Sequence, residues 1–515
     1  LRFCAAKAQL QAAAPIPLAR LIAGFTALWA ALSLATPSAL QADVVLLTSA
    51  SNRQARTRIT GKVLEYTGRE IVIEMAQGRP FKRAGKLVIE IQTEWPDGVK
   101  TGDELFARGD FRQAREQYSA AIRKEQRAWA RRIILAKIIR CYRELDLTEA
   151  AGKLFLGLLH EDPDTPDFDL IPLAWLPAQP SGSLTQTAQT WLEAQDSPAA
   201  VLLGASHLLP TSFRGRALER LESLALDKDR RIAALALAQS WRSELATVND
   251  ERIARWQQNI EQFPEPLRAG PYLVLGQALA RVGRAEPAAL ALLHVPILYP
   301  QERQLAAEAL LAAAQLLEQA NQPTAATRLY LELTASYEGL RAAADAAQHL
   351  QRLQAPAGRG AALPPAAGDT PEERFLNGLR ARRLFELAEN YCREELAASG
   401  LSDQRRAELT IELSRTYVDH ALQSPPDERE AIWARAQAIV EDLLRARPND
   451  PRRILLQVQS GLVHLARGEL VRQEAEILHS SAERLEQARD ELRAAVGDLQ
   501  TAEETLAVEL RNANL

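Results

Sequence analysis

One short stretch, Leu275–Pro300 (LGQALARVGRAEPAALALLHVPILYP), constrains the fold more than any other part of the chain. Small residues Gly276, Gly283 and Ala288 alternate with large Leu279 and Leu292, and Pro300 closes the run. Apolar positions on both sides of Gly283 keep helical spacing, so the stretch reads as two antiparallel helices packed closely across a tight turn. A helix pair of this kind cannot bury its apolar face alone. It must stack on neighbours, and the pattern recurs, so the chain is expected to be mainly α-helical and built of stacked helix pairs. Alanine, leucine, glutamate and arginine dominate, which favours helix.

A first unit carries Gly109, Phe111, Ala114, Tyr118 and Ala121. A second is read at Ala150 and Leu154, with Ala150 placed 36 residues after Ala114. A later unit carries Ala326 and Tyr330 directly after the Gly276–Pro300 pair. The small–aromatic–small face of Ala114, Tyr118 and Ala121 resembles the second helix of a tetratricopeptide repeat, whose period is about 34 residues. The tryptophan that this family carries early in its first helix is missing from these units. What the resemblance implies is an α-solenoid whose inner groove holds a protein or peptide partner, with no catalysis.

Two segments differ from the helical pattern at the N-terminal end. Arg2, Lys7 and Arg20 precede an apolar run from Leu21 to Leu34 and a small-residue end at Ala42, the plan of a secretory signal peptide over 1–42. Export to the periplasm, cell envelope or medium is therefore expected, with membrane association only if that segment stays uncleaved. Residues 43–95 then hold β-branched runs at Val44–Leu47, Ile59–Leu64, Ile71–Met75 and Leu87–Ile91. Four or five short strands in so little chain suggest a small bent antiparallel barrel. The run RITGKVLEYTGREIVIEM, with Gly61 at a strand bend, resembles Sm-like barrels, and an SH3-like barrel accounts for it equally. Arg53, Arg56, Arg58, Lys62, Arg69, Arg79, Lys82, Arg83 and Lys86 make this segment basic. They are read as a solvated strand face, with an anion- or nucleic-acid-binding face as the alternative. The chain's net charge of −4 implies no general attraction to nucleic acid.

The remainder divides into a tetratricopeptide-like pair over 96–163, a proline-rich break over 164–183, degenerate HEAT-like helices over 184–264 and tetratricopeptide-like repeats over 265–354. A flexible linker follows over 355–371, then a repeat-like segment over 372–450 and a long helix over 451–515. In that helix Leu478, Leu485, Leu492, Leu499 and Leu506 fall at intervals of seven, and Ala488, Ala495 and Ala502 sit three residues after successive leucines. Such a seam indicates a coiled-coil-prone helix. It leaves two outcomes open, folding back on the preceding repeat or self-association.

No residues are assigned to catalysis, metal or cofactor. The histidines form no HExxH pair, and Gly204–Ala205–Ser206–His207 starts like a nucleophile elbow but sits in a helical run without the closing glycine. Asp162, Asp164, Asp167 and Asp169 could offer calcium its oxygen ligands. Thr165 and Pro166 interrupt the required spacing, so this is read as a turn. Cys141 and Cys392 are read as buried free thiols. A non-catalytic exported scaffold is the expectation, with an envelope-glycan-binding or -processing superhelical protein as the rival.

Overall fold

The computed structural model describes residues 42–48, 56–76, 78–354, 363–477 and 482–513. The expected signal peptide, Arg53, Leu478 and the first part of the 355–371 linker lie outside the described residues. The chain divides into two compact units, with the boundary in sequence after Trp95. The first is all β and the second all helical.

The β unit is an antiparallel sheet of β1 (Asp43–Thr48), β2 (Arg56–Tyr66), β3 (Glu70–Glu74), β4 (Pro80–Ala84) and β5 (Val88–Gln92) in the order β4-β3-β2-β1-β5. Val45, Leu47, Val63, Ile71 and Ile73 are buried, the alternate-residue burial expected of a strand with one inward face. Strand β2 changes partner at Gly61, where a Cβ would lie 2.6 Å from the Glu74 carbonyl oxygen. Only glycine permits that approach, which is why the strand can bend there. The last strand begins one residue later than the β-branched run suggests, because Gly85–Leu87 forms a 3-10 turn.

The helical unit comprises α1 (Val99–Ala107), α2 (Phe111–Lys124), α3 (Ala128–Glu144), α4 (Thr148–Glu161), α5 (Gly182–Leu192), α6 (Pro198–Leu208), α7 (Arg214–Leu224) and α8 (Arg230–Glu244). It continues with α9 (Asp250–Gln262), α10 (Ala269–Arg281), α11 (Ala285–Leu298), α12 (Arg303–Gln319), α13 (Pro323–Ser336) and α14 (Arg341–Arg352). After the linker come α15 (Pro371–Ala381), α16 (Phe385–Ala397), α17 (Asp403–Gln423), α18 (Pro426–Ala446), α19 (Arg453–Ile477) and α20 (Ala482–Ala513). Most successive helices pack on one another, and α6 on α8, α10 on α12, α12 on α14 and α17 on α19 pack across the intervening helix. One continuous apolar core runs from α3 to α19.

Among the described residues, five helix pairs share a single turn. A left-handed residue follows the first helix at Gly109 (φ 84°), Asp146 (φ 55°), Gly283 (φ 80°), Asn321 (φ 60°) and Arg383 (φ 57°). The next amide then donates back five residues, from Asp110 to Leu105, Leu147 to Tyr142, Arg284 to Leu279, Gln322 to Leu317 and Leu384 to Leu379, at 2.8–3.0 Å. This is the Schellman closure of a helix C-terminus. Five residues beyond each left-handed position stands a fully buried alanine: Ala114, Ala151, Ala288, Ala326 and Ala388. Nine beyond stands a larger buried residue: Tyr118, Phe155, Leu292, Tyr330 and Cys392. In the first and third pairs a glycine of the first helix, Gly102 or Gly276, makes room for that larger residue, since a Cβ would meet Tyr118 or Leu292 at 2.5 Å.

This register corrects the second unit. Ala150 and Leu154 are only half-buried, and Ala151 and Phe155 hold the inward positions. The turn residue there is Asp146, in place of the glycine that marks the turns at Gly109 and Gly283.

The C-terminal helix folds back on α19. Gly461 faces Ala495 and Leu499, and Gly468 faces Glu491 and Leu492, so the two helices run antiparallel. Gly461, Gly468 and Ala475 recur at intervals of seven on α19, as Ala488, Ala495 and Ala502 do on α20, and all six are buried. These small residues line the hairpin, with Leu492 and Leu499 lying over Gly468 and Gly461. Leu485, Leu499 and Leu506 keep 36–45 % exposure at its edge.

Candidate partner-binding cleft

A concavity of about 860 Å³ opens within the helical unit. One wall is the end of α3 and the start of α4, from Arg143 through Lys153; the facing wall is the start of α12, Glu302–Leu305. The floor is the irregular segment Pro172–Ser181. Its backbone cannot pair within a helix and is satisfied by side chains instead. The Ser206 hydroxyl accepts from the Ala174 amide at 2.9 Å, Gln239 Nε2 donates to the Ala174 carbonyl at 3.1 Å, and His207 Nε2 donates to the Pro172 carbonyl at 2.9 Å. Trp175 seals the segment by lying over Gly270, where a Cβ would come within 2.0 Å of the indole. Ser206 and His207 thus pin a loop. Their resemblance to a nucleophile elbow carries no chemistry, since both face inward and share no hydrogen bond with each other.

Charge in the cleft is arranged in pairs. Arg143 donates from both terminal nitrogens to the Glu302 carboxylate and, at 3.3 Å, to the Asp169 carbonyl. This bidentate pair joins helices far apart in the chain. Beside it, Arg303 Nε lies 3.6 Å from Glu144, whose side chain is 10 % exposed. Burial pushes the Glu144 carboxyl up to about 7, against the opposing pull of Arg303 and Arg143. Burial also raises Asp169, to about 6. It lowers His207 to about 4, which keeps that ring neutral. Lys153 and Glu149 pair at 2.6 Å on the rim, and Leu147, 44 % exposed, projects beside them. Apolar Leu173, Leu176, Leu184 and Leu305 complete the lining. An apolar floor with a rim of both charge signs suits a polypeptide segment that buries one or two apolar side chains and leaves its polar groups at the edge.

Of the repeat-signature residues read in the sequence, Ala150 alone lines the cleft. Gly109 and Gly283 sit in turns, Phe111 opens α2, Pro300 follows α11, and Ala114, Tyr118, Ala121, Gly276, Leu279, Ala288, Leu292, Ala326 and Tyr330 fill the helix-pair cores. Sequence reasoning missed Arg143, Glu144, Glu302 and Arg303. Two lone charges ending α3 and two more opening α12 carry no local signal that they meet.

A second concavity, about 400 Å³, lies where the α12–α13, α15–α16 and α17–α18 turns converge, with Arg328, Arg383 and His420 on its walls. His420 Nδ1 is 2.6 Å from Glu389, which also accepts from Arg393 at 2.7 Å, so the Glu389 carboxylate is engaged within the unit. Asp167 of the acidic turn is likewise engaged by Arg140 at 2.9 Å. Among the described residues, no group of three or more His, Cys, Asp or Glu is placed to hold a metal ion. Cys141 and Cys392 are buried free thiols, each pushed up to about 12 by desolvation. No helix among the described residues is long and apolar enough to cross a membrane. No protein-family model matches the chain, and no curated protein sequence is similar to it.

Proposed function

We propose that the chain is a non-catalytic exported scaffold. Its tetratricopeptide-like helix pairs form a solenoid that holds a segment of a protein partner in the cleft between α3–α4 and α12. The observation that carries this reading is the shared turn. Five helix pairs repeat the same left-handed residue, the same closing hydrogen bond and the same buried alanine, which is the economy of a repeat protein built to present a surface. The cleft supplies the surface: apolar at its floor, charged at its rim, and rigid because Ser206, Gln239, His207 and Trp175 fix the loop beneath it. Export, a closed Sm-like or SH3-like form of the β unit and its basic face belong to the same proposal.

The test is site-specific photo-crosslinking in the native cell. A photoreactive residue at Leu147 is expected to give a discrete protein adduct in the exported fraction, and Leu147→Glu in a pull-down is expected to lose that partner about tenfold or more. A chain retained in the cytosol, or adducts no different from those at exposed Leu226 on the remote α7–α8 turn, would remove the reading.

A further inference from the structure

The hairpin α19–α20 has two unlike sides. One is latched by polar contacts at intervals of seven along α20: Glu491 with His464 at 2.7 Å, Asp498 with Ser460 at 2.5 Å, and Thr505 with Gln457 at 3.3 Å. Helical spacing puts the Leu485–Leu492–Leu499–Leu506 column beyond the alanine seam, with Leu492 and Leu499 leaning onto Gly468 and Gly461 of α19. Next to it, again at intervals of seven, runs the column Arg489, Val496, Glu503 and Leu510. This side is open. Val496 is 53 % and Leu510 55 % exposed, and Leu462 and Leu465 of α19 extend it at 40 % and 38 %.

The two charges on this face are informative. Arg489 and Glu503 are both exposed, and neither makes an ion pair among the described residues, whereas Arg484 and Arg493 each pair with a carboxylate. They stand symmetrically about Val496, seven residues on either side. A second α20 laid antiparallel across the first, centred at Val496, sets Arg489 against Glu503 of the other copy twice over, at sites roughly 21 Å apart. The same register sets Val496 against itself, Leu492 beside Leu499, and Leu485 beside Leu506. A parallel pairing instead opposes like charges at both sites. An unrelated basic or acidic helix satisfies only one of the two.

We propose that the open leucine face of α20 pairs antiparallel with the same face of a second copy of this chain, forming a two-fold symmetric dimer. The interface is isologous, so each residue's partner is fixed by the symmetry. It is independent of what the cleft binds.

Sedimentation velocity and light scattering on the full chain over a wide concentration range test this. The expected mass is twice the 56.8 kDa of one chain. Arg489→Glu and Glu503→Arg are each expected to weaken the dimer by about tenfold, since each replaces two attractions by two repulsions. The double variant restores it. Val496→Lys, at a side chain 53 % exposed on the open column, is expected to abolish the dimer with helicity unchanged by circular dichroism. A wild-type chain that stays monomeric throughout overturns the proposal. So does a dimer indifferent to Val496→Lys, or charge reversals whose effects add instead of cancelling.

Discussion

At Gly204 the helices α5 and α6 touch through their backbones: a Cβ there would lie 2.5 Å from both the Ala188 carbonyl oxygen and the Leu192 amide. Backbone cannot rotate out of the way as a side chain can. Gly204→Ala is therefore expected to destabilise the helical unit by about 2–3 kcal/mol, seen as a lowered Tm, despite alanine's better helix propensity. Two buried histidines act through pH. His294 lies stacked between Tyr272 and Phe375, with ring centroids 4.2 and 3.6 Å away, and burial lowers it, like His207, to about 4. The unfolded chain takes up these protons below about 6.5 while the folded one resists until about 4, so stability is complete above 6.5 and is lost as pH falls through that window. Replacing His294 by Phe is expected to flatten the decline of Tm between pH 7 and pH 5. Glu144 has the opposite sign. Its carboxyl titrates near 7 in the fold, so its contribution is present below the ordinary glutamate range and is lost as pH rises through 7. Glu144→Gln is thus expected to raise Tm at pH 8 and leave it unchanged at pH 4, an effect on the order of 2 kcal/mol. None of these three sites was legible in the sequence, where a buried histidine and an exposed one look alike.

Elements were far more legible than residues, and for a definable reason. Strands β1, β2 and β3 follow from β-branched runs, and the bend of β2 from Gly61, since period and glycine are local signals. The pairs closed by Gly109 and Gly283 follow equally well from the sequence. The pair closed by Arg383 was hidden, because arginine at φ 57° announces no turn; the fold tolerates it at a cost of about 1 kcal/mol, typical of a non-glycine left-handed residue. The heptad seam was legible in part. Spacing identified the helix and its face, and Leu492 and Leu499 do lie over Gly468 and Gly461 of the facing helix, but the deeply buried places go to Ala488, Ala495 and Ala502. Gly461→Leu is accordingly expected to pry α20 from α19. Because Leu499 and the Ala495 carbonyl oxygen already lie 3.0 and 3.2 Å from where its Cβ would be, limited proteolysis should then release α20 from an otherwise folded chain. Resistance equal to wild type would show that the seam is looser than these distances state.

Within the helical unit, ion pairs couple segments that the repeat pattern alone would leave independent. In a stack of helix pairs each unit answers mainly to its neighbours, so a local defect should stay local. The Arg143–Glu302 pair breaks that rule by tying the end of α3 to the residue that precedes α12, 159 positions along the chain. Both side chains are largely buried, at 22 % and 9 % exposure. Removing one partner strands the other's charge in a poorly hydrated place, which costs more than the pair contributes when intact. Glu302→Gln keeps the shape and removes the charge, and is expected to destabilise by about 3 kcal/mol. The informative readout is where protection is lost. Amide hydrogen exchange should accelerate together in α3–α4 and α11–α12, the two walls of the cleft, while α17–α20 keeps its wild-type rates. Paired loss on both walls makes the cleft one cooperative element, held open at a fixed width for whatever it receives. Loss confined to α12 would instead return the unit to the nearest-neighbour behaviour of an ordinary repeat array, with the cleft's rigidity resting on its pinned floor alone.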